Sequence, residues 1–260
     1  MFNFLSEINK LIAICASLQS THTTRRVGAM VAYSLPRNFY TTTMDWYDDI
    51  VNKCKNAIKN INKMELPKET KDKMLKECED FIKLTKDDKN YRTKKKNLHL
   101  TLHRETNFED NGLYRNLVNT LFNDMTPLTL TVQNGRWVNL KSGDRFYILE
   151  FDDTTLSNIQ KQLSIYSENY KRAQQNFSNS KIQAKEIKDI DFAHITISKH
   201  SLKAQETFPN MFKYVLDPLN NNDTIFKNKS FVCNEIYLYF LNKTIVYDLT
   251  TKKFKVEQGI

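Results

Sequence analysis

Two short stretches of the sequence share one pattern: Asn97-Leu98-His99-Leu100-Thr101-Leu102 and Phe192-Ala193-His194-Ile195-Thr196-Ile197. Each places a His and a Thr two positions apart among apolar neighbours. Because side chains at i and i+2 of a β-strand point to the same face, each stretch predicts a strand that presents an imidazole and a hydroxyl side by side. The intervening Leu100 or Ile195 is then expected to face the opposite layer.

A third His-x-Thr match, His22-Thr23-Thr24, lies in a polar stretch without apolar alternation. We interpret it as a chance match. The chain has only five histidines, and two of them open the same pattern 95 residues apart in matching strand contexts. The repeated pattern, rather than any single match, carries the functional signal.

Helical and strand periodicities alternate along the chain without the regular order of a parallel sheet. Apolar repeats of three or four predict helices over 3–18, 45–61, 113–125, 156–170 and 208–216, and one after Pro67. Alternation predicts strands over 27–33, 97–103, 128–133, 136–140, 145–151, 192–198, 231–241 and 244–249, with turns at Asn134-Gly135 and Ser142-Gly143. The expected fold class is α+β with antiparallel sheets.

Composition narrows the class of protein further. The 260 residues are 40% hydrophobic, which is enough to bury a core and excludes wholesale disorder. The apolar run at 11–15 is far shorter than the roughly 20 residues that span a bilayer. Glu7, Asn9 and Lys10 interrupt any export signal, so we expect an intracellular protein without a membrane segment.

The four cysteines lie far apart and form no Cys-x-x-Cys pair, which suits a reducing compartment and argues against a zinc ribbon. Cys54 and Cys78 fall on apolar helical stripes, where buried thiols are expected.

The positive charge is concentrated in one region. Residues 53–104 contain 16 Lys or Arg and 8 Asp or Glu, so they carry +8 of the net +9. Such a region predicts an anionic partner, most commonly nucleic acid, although a solvated lysine-rich helix face explains the charge equally well. Lys94, Lys95 and Lys96 directly precede the first motif, where they either hold backbone phosphates or form a solvated loop.

Two paired imidazoles and hydroxyls suit phosphoryl transfer without a metal. One neutral imidazole removes a proton from a nucleophilic hydroxyl, and the other, protonated imidazole gives a proton to the leaving oxygen. The Thr hydroxyls donate hydrogen bonds to the non-bridging oxygens of the phosphate. In RNA the ribose 2′-OH is the built-in nucleophile. A metal site is the competing interpretation, but neither motif contains a carboxylate or Cys. Histidines four apart on a strand are also about 13 Å apart, so His103 and His200 are expected at the rim.

The two motifs resemble those of the 2H phosphoesterase superfamily, whose members carry two His-x-Ser/Thr motifs in a two-lobed fold. More narrowly, the chain resembles fungal-type members of the U6 small nuclear RNA phosphodiesterase family. The likeness lies in the two motif strands, in the segment Gly143-Asp144-Arg145-Phe146-Tyr147-Ile148-Leu149-Glu150, and in Cys233-Asn234-Glu235-Ile236 leading into Lys243-Thr244-Ile245. An aromatic residue that some relatives place six residues before the second motif is here Lys188.

This resemblance implies a pseudo-twofold fold whose antiparallel sheets line a central cleft with helices outside. It implies one lobe from 20–125 and 205–260, a second from 126–204, and a helical extension over 1–20. The implied activity is a cofactor-free, metal-free 3′→5′ exoribonuclease that trims the uridine-rich end of U6 RNA in the nucleus, acting as a monomer. His99, Thr101, His194 and Thr196 are the implied catalytic residues, and Arg145 and Phe192 are further candidates for RNA contact.

Two other functions stay open from the residues alone. A cyclic phosphodiesterase of nucleotide or tRNA-repair metabolism would use the same motif chemistry. A basic RNA-binding module without turnover would hold the His-Thr pairs for structural reasons. Within the leading hypothesis we favour His194 as base and His99 as acid, although the motifs themselves are compatible with either assignment.

Overall fold

Two antiparallel sheets form the framework of the chain. The computed structural model describes residues 27–87, 98–108, 120, 123–151, 154–177, 185–186, 193–220, 222–240 and 243–258. Within these ranges every strand pairing is antiparallel and helices separate several of the strands. The predicted α+β class is therefore confirmed. The helix predicted over 3–18 lies outside the described residues, as does most of the one predicted over 113–125.

The first sheet has six strands in the order β10-β9-β8-β1-β2-β5. Their bounds are β1 Val27–Ser34, β2 His99–Phe108, β5 Lys185–Glu186, β8 Glu235–Phe240, β9 Lys243–Asp248 and β10 Lys253–Gln258. The second sheet has four strands in the order β6-β4-β3-β7. These are β3 Leu128–Asn139, β4 Arg145–Phe151, β6 His194–His200 and β7 Ser230–Cys233. One His-Thr motif therefore lies in each sheet.

The helices are α1 Arg37–Lys63, α2 Lys68–Asp87, α3 Thr154–Phe177, α4 Leu202–Thr207 and α5 Pro209–Met211, which continues as turns Phe212–Leu216 and Asp217–Leu219. Helix α1 begins eight residues earlier than the periodicity predicts, directly after Pro36. Its first turns contain three β-branched residues of modest helix propensity. The hydroxyls of Thr41, Thr42 and Thr43 donate to the carbonyls four residues before them, which ties these residues into the helix.

Helices α1 and α3 each follow a strand of one sheet and pack against the other sheet. Helix α1 follows β1 of the first sheet, yet Trp46 stacks on Tyr147 of β4 at 4.8 Å between ring centroids. Tyr47 likewise donates a hydrogen bond to the carbonyl of Ile197 in β6. Helix α3 follows β4 of the second sheet and packs against β2 of the first. This exchange of helices ties the two sheets together.

The strand at 231–241 predicted from alternation is in fact two strands in different sheets. Asn234 separates β7, which pairs with β3, from β8, which pairs with β1 and β9. Strand β7 lies in the second sheet and β5 in the first. The lobe boundaries, 20–125 with 205–260 and 126–204, stay a prediction. Strand β10 was not predicted.

Cys54, Cys78 and Cys233 are buried free thiols, as predicted for the two helical cysteines. Burial raises the pKa of Cys54 to about 12 and that of Cys78 to about 11. None of the helices in the described ranges is long and apolar enough to cross a membrane.

The turn predicted at Asn134-Gly135 does not exist, because β3 runs without interruption from Leu128 to Asn139. Gly135 is instead required by close packing: a Cβ there would lie 2.4 Å from the hydroxyl oxygen of Tyr147. That buried hydroxyl donates to Asp223 at 2.7 Å, so it is not free to move away. The predicted turn at Ser142-Gly143 is correct, and Gly143 has the positive φ of 84° that favours glycine.

We expect Gly135→Ala to destabilise the fold by about 1–3 kcal/mol, because the added methyl overpacks the site against Tyr147. Urea unfolding measures this loss. The penalty should shrink when Gly135→Ala is introduced into a Tyr147→Phe background, where the obstructing hydroxyl is absent. A free energy of unfolding that Gly135→Ala leaves unchanged would contradict this reason for the glycine.

Candidate active site

The first motif lies on β2 with the alternation that the sequence predicts. His99 and Thr101 are partly exposed, whereas Leu100 between them is fully buried. The hydroxyl of Thr101 contacts the Met30 sulfur at 3.7 Å, a weak acceptor that a phosphate oxygen can readily replace. The Thr101 carbonyl accepts a long hydrogen bond of 3.5 Å from Gln160 of α3.

The second motif repeats this arrangement on β6. His194 and Thr196 are partly exposed and Ile195 between them is fully buried. His194 lies directly opposite Glu150 of β4, and Thr196 lies opposite Ile148. Both motifs therefore present an imidazole and a hydroxyl on one strand face, which confirms the predicted orientation of the intervening Leu and Ile.

Both motif strands carry a β-bulge at the same position, directly after the Thr. On β2, His103 pairs with Val31 and Thr101 pairs with Ala32, so Leu102 between them is the extra residue. On β6, Ser198 pairs with Tyr147 and Thr196 pairs with Ile148, so Ile197 between them is the extra residue. Bulges re-aim side chains and are over-represented next to active sites. The two motifs thus match in backbone geometry as well as in sequence.

The two motif strands are neighbours although they belong to different sheets. Residues of β2 and β6 approach within 8 Å between Cα atoms. Each strand is contacted by the helix from the other sheet: Tyr47 of α1 donates to the bulge residue Ile197 at 2.8 Å, and Gln160 of α3 donates to Thr101. The fold therefore brings close together two strands whose His-Thr motifs are 95 residues apart in the chain.

The prediction that His103 and His200 lie at the rim is wrong, because they are only 3% and 1% exposed. The bulges are the physical reason. Without them His103 would share the face of His99, and His200 that of His194. The extra residue in each strand reverses the alternation beyond it, so both histidines turn into the interior.

His200 is packed among Trp137, Phe212 and Ser198, and the Ser198 hydroxyl lies 3.2 Å from its Nε2. Burial, and to a smaller extent the nearby Arg145 guanidinium, lower the pKa of His200 to about 3. A neutral histidine with these partners has a structural role rather than a catalytic one.

His200 has a pKa of about 3 in the folded state, whereas a histidine in the unfolded chain titrates near pH 6.5. The unfolded state therefore gains a proton first as the pH falls. The stabilisation by neutral His200 is complete above pH 6.5 and decreases as the pH drops toward 3. We expect wild type to lose about 1–2 kcal/mol more than His200→Gln between pH 7 and pH 5. Urea unfolding at both pH values measures the difference. Parallel losses in the two proteins would contradict the assignment.

Arg145 does not lie with the four motif residues. It pairs with His200 at the opposite end of β4 from Glu150, which faces His194. The Arg145 guanidinium forms an ion pair of 2.8 Å with Asp217 and lies over the ring of Trp137. Lys94, Lys95, Lys96 and Phe192 lie outside the described residues, as do His22 and Lys188.

Sequence reasoning missed two groups that flank the histidines. On the first sheet the ring of Tyr239 lies 5.7 Å from that of His99. On the second sheet Glu150, opposite His194, accepts a hydrogen bond of 2.7 Å from Arg136 of β3. The alternation Glu235-Ile236-Tyr237-Leu238-Tyr239 shows that the tyrosines share a strand face, but only the sheet order reveals that this is the face of His99.

Among the residues that the structure describes, no three His, Cys, Asp or Glu side chains group closely enough to hold a metal ion. The partly exposed side chains of the two motifs are imidazoles and hydroxyls, which suit proton transfer and hydrogen bonding to an anion.

No family model and no curated protein matches the chain. Among solved structures, the chain is similar to Escherichia coli LigT complexed with NADP+, at 14% identity, 90% coverage of this chain, 95% of that chain and a TM-score of 0.41. It is also similar to Kluyveromyces marxianus Usb1 with uridine monophosphate, at 10% identity, 85% and 98% coverage and a TM-score of 0.43.

Proposed function

We propose that the chain is a metal-independent RNA phosphodiesterase that cleaves by attack of a ribose 2′-OH on the adjacent phosphate. One observation carries the proposal: two His-x-Thr strands with identical bulge positions lie side by side from different sheets. A structural role would not require the same pair of partly exposed polar side chains at the same place in both strands. A phosphate bound by both pairs would explain why both are polar and partly exposed on neighbouring strands.

In the proposed reaction one neutral imidazole takes the proton of the 2′-OH as its oxygen bonds to phosphorus. The phosphorus–O5′ bond breaks, and the other imidazole, as imidazolium, protonates the departing oxygen. The products are a 2′,3′-cyclic phosphate and a free 5′-OH, so atoms and charge balance. Thr101 and Thr196 donate hydrogen bonds to the non-bridging oxygens, where negative charge accumulates. We favour His194 as the base and His99 as the acid.

The more specific proposal rests on the resemblance of the motifs. We propose that the substrate is the uridine-rich 3′ end of U6 small nuclear RNA, trimmed one nucleotide at a time by a monomeric nuclear enzyme. The product end is a cyclic phosphate or its hydrolysed form. The concentration of Lys and Arg between residues 53 and 104 supports a polyanionic substrate, and Lys94, Lys95 and Lys96 are proposed to hold its backbone.

The decisive assay incubates the full-length chain with uridine-tailed RNA in EDTA and identifies the new 3′ end by mass spectrometry. We expect shortening by single nucleotides and a cyclic or terminal phosphate. A 2′-deoxy substitution in the penultimate nucleotide, which removes the nucleophile, should block the first cleavage. Cleavage that needs added metal, or that ignores this substitution, would contradict the mechanism.

A substrate panel separates the alternatives. ADP-ribose 1″,2″-cyclic phosphate and 2′,5′-oligoadenylate report a cyclic phosphodiesterase or another activity of the same four residues. Salt-sensitive RNA binding without turnover of any substrate would instead identify a binding module.

A further inference from the structure

Tyr237 and Tyr239 form a partly exposed aromatic pair on the face of the first sheet that bears the motif. In β8 they alternate with Ile236 and Leu238, which are fully buried on the other face. Tyr237 pairs with Ala32 of β1, and Ala32 pairs with Thr101 of β2. Because directly paired residues of antiparallel strands share a face, the aromatic pair lies on the same surface as Thr101 and His99.

The contacts of the pair place it against the first imidazole. The rings of Tyr239 and His99 lie 5.7 Å apart with a tilt of 49°. Tyr237 packs edge-on against Tyr239 at 5.6 Å. Strand β1 separates β8 from β2, and its residue between Tyr237 and Thr101 is Ala32, whose methyl group leaves room for rings to lie above it.

Partial exposure distinguishes this pair from other tyrosines of the sheet. Tyr33 and Tyr247 are fully buried in the core behind it. Large rings left partly exposed beside a catalytic imidazole gain burial when a flat ligand covers them. Nucleobases are flat ligands of this kind, and stacking on aromatic side chains is a general way to bind single-stranded RNA.

Charge favours a base over a phosphate at this position. The Tyr237 hydroxyl donates to the Glu235 carboxylate at 3.4 Å, so a negative charge lies at the end of the pair that is nearest Tyr237. A carboxylate repels phosphate, whereas it accepts hydrogen bonds from base N–H or ribose hydroxyl groups. The phosphate is then held at His99 and Thr101, and the attached nucleoside extends toward Tyr237.

We propose that Tyr239, supported by Tyr237, is a stacking platform for a nucleobase next to the scissile phosphate. This inference rests on the proposed function for the position of the phosphate, and it assigns the base a site of its own. Stacking of one base contributes about 5- to 150-fold in affinity, and it accepts any base because every base presents a π-face.

Binding to uncleavable probes tests the platform independently of turnover. The first probe is a short oligouridylate with 2′-deoxyribose at the penultimate position. Two matched probes lack the base of the terminal or of the penultimate nucleotide. By calorimetry, we expect wild type to bind one abasic probe about 5- to 150-fold more weakly than the complete probe. Tyr239→Leu should abolish this difference and Tyr239→Phe should retain it.

Tyr214→Leu, which removes a 55% exposed ring of the turn at Phe212–Leu216, is the matched control and should behave as wild type. Circular dichroism confirms the fold of each variant. A difference between probes that survives in Tyr239→Leu overturns the platform, and so does a wild type that binds all probes alike or binds none. If the platform behaves as expected but cleavable RNA stays intact, the catalytic proposal fails and the platform stands.

Discussion

Replacing either His99 or His194 with Ala is expected to slow cleavage of uridine-tailed RNA in EDTA by about 10²- to 10⁴-fold. Each substitution removes one of the two proton transfers: one variant lacks the group that activates the 2′-OH, the other the group that protonates the leaving O5′. Single-turnover rates with excess protein measure the chemical step. Because both imidazoles are partly exposed, their loss should leave the free energy of unfolding nearly unchanged.

His22→Ala is the matched control for these variants. His22 belongs to the third His-x-Thr match, which lacks the apolar alternation of a strand, so its loss should leave the rate at the wild-type level. Full activity in His99→Ala or His194→Ala would contradict the proposed roles of these residues. Equal losses of rate in all three variants would show that the strand context does not distinguish His99 and His194 from His22.

Replacing Thr101 or Thr196 with Val is expected to lower the cleavage rate by about 10²- to 10³-fold, the cost of one hydrogen-bond donor to a developing oxyanion. Valine is nearly isosteric with threonine, so it removes the donor while keeping the shape of the strand face. The effect should fall mainly on kcat, because the donated bonds strengthen as charge accumulates in the transition state.

Thr101→Ser and Thr196→Ser provide the conservative comparison. Each keeps a hydroxyl at the same backbone position, and activity within about tenfold of wild type is expected. If the Val variants cleave as fast as the Ser variants, the hydroxyls do not contact the phosphate.

The sequence predicted the motif faces correctly because they follow from the shortest-range rule of β-structure. Two residues two positions apart on a strand share a face, so His99 with Thr101 and His194 with Thr196 needed no knowledge of the fold. The same rule failed one residue beyond each Thr. The bulges at Leu102 and Ile197 depend on pairing with β1 and β4, which alternation does not reveal.

Gly135 and Asn234 illustrate the same limit. Asn134-Gly135 has the composition of a hairpin turn, yet the glycine serves the close approach of Tyr147. Asn234 and Glu235 interrupt an otherwise apolar run over 231–241, and the chain changes sheets there. In both cases a partner distant in sequence decides the local structure, and local propensity carries no information about that partner.

The groups around the histidines could not be predicted for the same reason. Tyr239 reaches His99 only because β8 and β2 flank β1 in one sheet. Arg136 and Glu150 meet because β3 and β4 pair in a register that includes a further irregularity beside Asn134. Candidate catalytic residues were visible in the sequence, while the residues that surround them were visible only in the sheet order.

The single-turnover rate of the double variant His99→Ala/His194→Ala, compared with those of the two single variants, tests whether both imidazoles act on one phosphate. If the two imidazoles act on one phosphate in one concerted transfer, removing the second after the first costs little. We predict that the double variant lies within about tenfold of the slower single variant, as is usual for catalytic groups that act as a unit. A double variant whose loss equals the product of the two single losses would contradict a shared site built from both sheets.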